Sequence, residues 1–346
     1  MKRGMMNKSK LAFKKEWSEF CHQVEQDLQP DYCLLCGKKM TSPCNSHVVP
    51  QFILKRIADK GMVCYGQSLF QNAWKNDFIK TTTGINNAFT FRLICNDCDK
   101  KQFCHYETPA AILNYDSFSL EEQKLILLEM AIKTHLSHIY TKAKTYTEKA
   151  MQCPELMDSI HACVGSTAYE LDIQEHKKYI QTLNRFKKTT SFPFVVLYDR
   201  LLDYETDIAA QTIISYTHNL KGEQLYDPYD FSQDELMQYL YLMILPYQGK
   251  TRVLFYVEKK YQSHVQSIIE GFNTLTEADK LHFLFVSLII YDEHFYICPS
   301  LQEKMKKDRK IIRLYTRTDN SGKGGVRGMD EIANFRKYHN YLMDDK

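Results

Sequence analysis

Apolar positions recur along this chain with two different periods, and the change from one to the other divides it into segments. Over residues 9–28 (SKLAFKKEWSEFCHQVEQDL), Leu11, Trp17, Phe20, Val24 and Leu28 fall at helical spacing, which predicts an amphipathic helix that Pro30 ends. Pro50 opens a short helical pattern, QFILKRIAD, closed by Gly61. From Met62 to Leu93 the text is polar and turn-like around strand-sized runs, notably AFTFRLI at 88–94. Residues 119–150 predict a long helix whose Ser119 and Glu122 match a capping box. A second helix is predicted over about 154–187. Strand-sized apolar runs follow at 192–198, 212–218, 252–258 and 281–291, with helices expected at about 231–244 and 261–272 between them. The run at 281–291, then Asp292 and Glu293, then HFYIC, predicts a hairpin. The fold class expected is α+β, with long helices and a mixed or antiparallel sheet. The pattern divides into an N-terminal amphipathic helix (1–29), a small module (30–109) and a larger α+β region (110–346).

Composition narrows this without changing it. The chain has 346 residues, 44% hydrophobic and 25% charged, with 23 Tyr and 19 Phe against only 13 Gly and 9 Pro. That excludes a low-complexity chain and favours well-packed elements with few tight turns. A net charge of +3 means that any nucleic-acid surface must come from local clustering. Basic residues do gather at Lys2, Arg3, Lys8, Lys10, Lys14 and Lys15, and again at Lys304, Lys306, Lys307, Arg309, Lys310 and Arg313; a solvated face is the simpler reading of each. No run has the length of a membrane span and no secretory pattern opens the chain, so a cytoplasmic protein without membrane contact is expected. Eleven cysteines, an odd number, argue for metal rather than a disulfide framework in that compartment.

The cysteines that carry chemistry are two C-x2-C pairs, Cys33/Cys36 and Cys95/Cys98. Each pair puts two thiolates on one tight turn, so all four sulfurs can lie about 2.3 Å from a shared tetrahedral zinc. Gly37 follows the first pair where a knuckle must turn back. The second pair lies where a strand (AFTFRLI) meets a candidate helix (NDCDKKQFCHYE), and a knuckle followed by a helix N-terminus is the order of a treble clef. Cys44 and Cys104 are alternative zinc ligands, and Cys44-x2-His47 is itself ligand-like spacing.

Between the pairs stands Cys44-Asn45-Ser46-His47-Val48-Val49-Pro50. With this element the region 31–107 resembles the HNH endonuclease superfamily, in its bacterial members with a C-x-x-C … S-H-[IV]-[IV]-P … C-x-x-C pattern. The resemblance implies a ββα-metal-like module in which His47 is the general base on the water that attacks a phosphodiester. It implies a divalent-metal site at the residue before that histidine, here Ser46, and at the residue after the last zinc cysteine, here Asp99. It also implies DNA, or RNA, as partner and defence against foreign DNA as a setting.

A hard cation such as Mg²⁺ or Mn²⁺ wants carboxylate oxygen, which Asp99 supplies and the hydroxyl of Ser46 does not. On one continuous helix, Glu107 lies about two turns beyond Asp99 and faces the same way. A site of His47, Asp99 and His105 or Glu107 therefore needs no acid at Ser46. The same residues also fit a module that has kept zinc and lost catalysis, binding nucleic acid or protein without cutting. The 110–346 region is then the part expected to meet a protein partner or a second copy. Outside the module, His135 and His138 lie one turn apart and read best as a helix surface, and Ser321–Gly328 reads as a basic, glycine-rich loop.

Overall fold

The computed structural model describes residues 19–20, 22–66, 82–88, 90–152, 168–225, 238–292, 295–318 and 329–343. Its contacts divide the chain into two units, each assembled from separated stretches: residues 1–46, 90–102 and 135–183 in one, residues 47–89, 103–134 and 184–346 in the other.

In chain order the strands are β1 (Ser46–His47), β2 (Met62–Tyr65), β3 (Thr82–Gly84), β4 (Thr90–Phe91), β5 (Phe194–Leu202), β6 (Ile208–Ile214), β7 (Leu240–Tyr247), β8 (Lys250–Glu258) and β9 (Phe295–Ile297). The α-helices are α1 (Gln51–Ile57), α2 (Asn96–Gln102), α3 (Pro109–Leu113), α4 (Leu120–Gln152), α5 (Ala168–Phe186), α6 (Gln266–Asn273), α7 (Glu277–Tyr291), α8 (Pro299–Met305) and α9 (Arg309–Thr318).

In the first unit, the stretches around the cysteines are short pieces, while residues 135–183 bring in parts of α4 and α5. Residues 22–27 are helical, with Val24 buried. Tyr32 bridges Lys39, and the intervening turn is closed by Cys33 N–H on Lys38 O (2.9 Å) and Gly37 N–H on Cys33 O (2.9 Å). Gly37 takes φ +69° there, a left-handed conformation that a side chain would strain. The stretch leading into α2 is stitched to this turn by Leu34 N–H on Leu93 O (3.0 Å) and Cys44 N–H on Ile94 O (2.8 Å).

The second unit holds an antiparallel sheet in the order β3–β2–β9–β6–β7–β8–β5. β7 and β8 pair from Leu240↔Val257 to Tyr247↔Lys250. The two residues joining them, Gln248 and Gly249, both have positive φ (49° and 79°), as a two-residue hairpin turn compatible with strand twist requires. Side chains of β6, β7 and β8 pack with Phe272 of α6 and Phe283, Leu284 and Leu288 of α7 in one apolar core. Arg252 on β8 is 1% exposed. It donates to Asp199 on β5 (2.6 Å), to both oxygens of Asp116 (3.1–3.3 Å) and to Ile112 O (3.0 Å). A buried guanidinium is tolerated only with such a full set of acceptors.

The α+β class and the antiparallel sheet are as expected, and two elements change type. Residues 281–291 form the C-terminal part of helix α7 rather than a strand, so no hairpin joins them to HFYIC. The helix is set by the polar residues before the apolar run: Thr276 caps it, its hydroxyl accepting from Asp279 N–H (3.2 Å), and Glu277 and Asp279 occupy the first turn. The helix is apolar on most faces because most of its residues are buried, which erases the helical period. Conversely, residues 240–244 of the helix expected at 231–244 belong to strand β7. It lies between β6 and β8 and is buried along its length, so it shows neither alternation nor helical spacing. Residues 231–237 of that expected helix, the start of the 9–28 helix, the 154–167 part of the 154–187 helix, Lys2 to Lys15, and Ser321–Gly328 lie outside the described residues. Among the described residues no helix is long and apolar enough to cross a membrane.

Candidate metal centre

The knuckle turn and the start of α2 bring Cys33, Cys36, Cys95 and Cys98 together, with their sulfurs all within 4.8 Å of one another. Cys36 Sγ and Cys95 Sγ are 3.9 Å apart; four sulfurs each about 2.3 Å from a tetrahedral ion stand about 3.8 Å apart. The donor set thus fits zinc both in chemistry and in spacing. Cys95 N–H points at Cys33 Sγ (3.4 Å), an arrangement that stabilises sulfur in its charged form. Burial pushes the Cys33 thiol up, but the backbone N–H groups of Cys36, Cys95 and Leu35 outweigh it and bring its pKa down to about 7. Burial and the three neighbouring sulfurs push Cys98 the other way. Four clustered thiols cannot all ionise without a cation among them, and a zinc ion resolves that conflict. Neither Cys44 nor Cys104 nor His47 belongs to this set.

His47 ends β1, half-buried, with Nε2 2.8 Å from Ile85 O. A carbonyl oxygen only accepts, so Nε2 carries the hydrogen and a neutral ring keeps its lone pair on Nδ1. Ser46, just before it, is buried and donates its hydroxyl to Asp99 Oδ1 at 2.5 Å. Asp99 sits in the first turn of α2, its own N–H bonded to Cys95 O (3.0 Å).

His105 and Glu107 do not continue that helix. α2 stops at Gln102, so the expectation that Glu107 lies two turns beyond Asp99 on one face does not hold. The chain must reverse here because Phe103 and Tyr106 are fully buried and Thr108 already caps α3, accepting from Ala111 N–H (3.2 Å) ahead of Pro109. Both residues turn to α4 instead. His105 Nδ1 bonds Glu129 Oε1 (2.6 Å). Glu107 accepts from the buried Lys133 ammonium and from the Tyr106 hydroxyl (3.2 Å).

Sequence spacing did not single out Glu129. Its one signal is a lone acid inside an apolar run of α4 (ILLEMAI). The reading of His135 and His138 as a helix surface is corrected for His135. That residue is fully buried, its Nδ1 3.0 Å from His176 Nδ1 and its ring stacked on Tyr179. By contrast, Lys304, Lys307, Arg309, Lys310 and Arg313 are exposed, as a solvated face requires.

Compared with known proteins, the chain matches no family model and has no significant match among curated proteins or solved structures. What the structure supplies by itself is a four-cysteine cluster able to hold a metal ion such as zinc, in an arrangement compatible with a C-x-x-C treble clef.

Proposed function

We propose that the chain is a zinc-clamped, HNH-like hydrolase of phosphodiester bonds in DNA, with His47 as general base. The observation that carries this reading is the bond between His47 Nε2 and Ile85 O (2.8 Å), which selects the tautomer with its lone pair on Nδ1. A base of this kind must present a lone pair held in a fixed direction, and imidazole is basic enough near neutral pH to take a proton from water. The zinc cluster is scaffold in this reading: it fixes the turn that leads to β1 and the start of α2.

Asp99 is the residue that would hold Mg²⁺ or Mn²⁺, ions that accept one or two carboxylates and keep several waters. When bound, such an ion neutralises charge developing on the phosphate. Ser46 orients the Asp99 carboxylate through its hydroxyl without adding a second charge. His105 Nδ1 is paired with Glu129 and Glu107 Oε1 with Lys133, both on α4, so this reading assigns them no step.

Supercoiled plasmid incubated with the purified protein and Mg²⁺ or Mn²⁺ is expected to be nicked. His47→Ala should slow nicking at least about 100-fold, the lower end for loss of a general base, with zinc content unchanged. If DNA and RNA stay intact with every divalent cation, the hydrolase reading is wrong. The second reading rests on the neutral Ser46 hydroxyl spent on Asp99: a treble-clef module that binds nucleic acid without cutting. A gel shift that persists in the absence of any cleavage would select it.

A further inference from the structure

Beyond the four-cysteine set, the described residues contain another group of metal-ligating side chains close enough to share an ion: Cys104, His105 and Glu129, whose ligand atoms lie within 4.8 Å of one another. We propose that these three residues form a second, zinc-type metal centre with an open coordination position, independent of whether the chain cuts nucleic acid.

The geometry is that of a site approached from solvent. Cys104 and His105 lie in the exposed turn after α2, while the Glu129 side chain, on α4, is 1% exposed. The glutamate is aimed by the backbone: its Oε2 accepts from His105 N–H (2.9 Å) and Tyr106 N–H (3.2 Å). This leaves Oε1 facing His105 Nδ1 (2.6 Å). Cys104 Sγ lies 3.6 Å from the same Nδ1. A tetrahedral ion about 2.3 Å from sulfur and about 2.0–2.1 Å from nitrogen holds them roughly 3.5 Å apart, so that edge of the site is already at its ligated length. The Nδ1–Oε1 edge is at hydrogen-bond length and has to open by roughly 0.7 Å to accept an ion with ligand distances near 2.0–2.1 Å, a small rotation of an exposed imidazole.

Lys187 stands 3.6 Å from Glu129 Oε1. It balances the buried carboxylate when no ion is present and is the cation an incoming metal must displace. The donor set decides the class of metal. One thiolate, one imidazole and one carboxylate suit Zn²⁺ or Co²⁺ and not Mg²⁺ or Ca²⁺. Three protein ligands also leave the fourth tetrahedral position for water or an anionic oxygen, the stoichiometry of zinc sites that do chemistry rather than hold structure. The four-cysteine set is closed by comparison.

The test reads metal content rather than activity. Full-length protein equilibrated with Zn²⁺ and freed of excess is expected to hold two equivalents, and one equivalent in Cys104→Ser and in His105→Ala. Because both replaced side chains are exposed, the variants are expected to fold, and the retained equivalent reports the intact four-cysteine set. Co²⁺ gives an independent reading: its second equivalent should bring thiolate-to-metal absorption that Cys104→Ser removes. A wild type that binds a single equivalent overturns the proposal, as do variants that still bind two.

Discussion

The cysteine turns of the first unit and the sheet of the second are stabilised by different means. Around Cys33 to Cys44 and Ile94 to Cys98, regular structure is limited to bridges and the start of a short helix, and few apolar side chains are available to hold them. Pieces this small bury little surface of their own, and a metal ion held by the four cysteines would supply folding free energy there. The sheet is the reverse case. β6, β7 and β8 are buried over nearly their whole length and pack on α6 and α7. There polar groups are the liability, because a buried one without a partner costs free energy.

The largest effect that separates the two regions is metal removal. Structural zinc contributes on the order of 10–16 kcal/mol in small modules. Chelation, or Cys36→Ser with Cys95→Ser, is expected to expose residues 30–46 and 90–102 to limited proteolysis while the cooperative denaturant transition of the sheet persists. Loss of both together would show that the sheet also depends on the metal.

A smaller effect tests the sheet. Arg252→Ala leaves Asp199 buried without its guanidinium partner, and burial already pushes that carboxyl up to about 6 against the pull of Arg252. A loss of about 3–5 kcal/mol in urea unfolding is expected; a change below 1 kcal/mol would mean the pair contributes nothing net.

The smallest effect concerns the other part of the first unit, the pairing of His135 with His176. Burial first, then His135 and Lys142, push the His176 imidazole well below its ordinary value. Tyr179 and His138 also face the pair, and Lys142 is itself held by Asp172 (2.8 Å). Because the folded state resists the proton that the unfolded state accepts, stability should fall as pH drops below about 6.5, by up to about 1.4 kcal/mol per pH unit. His176→Gln should flatten that slope, measured as denaturant midpoint against pH.

Legibility in the sequence followed the same division. The cysteine cluster could be read directly, because C-x2-C spacing is fixed by the geometry of ligation and not by the rest of the fold. The capping box at Ser119 and Glu122 was equally local, and Ser119 N–H does bond Glu122 Oε2 (2.9 Å). α7 over 283–290 and β7 are buried on nearly every side, which removes the contrast between faces on which periodicity depends. Glu129 was missed since its partners come from a distant turn, and its selection rests on tertiary contact alone. His105 and Glu107 were placed on the wrong element because nothing in NDCDKKQFCHYE marks Gln102 as a helix end; the burial of Phe103 and Tyr106 does.

The register of β2 against β9, Cys64 with Ile297, has a consequence for synthesis. β9 also supplies the link from β2 to β6, so β2 cannot join the rest of the sheet until residue 297 has left the ribosome. At roughly 5–20 residues per second that delay is on the order of tens of seconds. Throughout it β2 lacks β9, one of its two partners among the described residues.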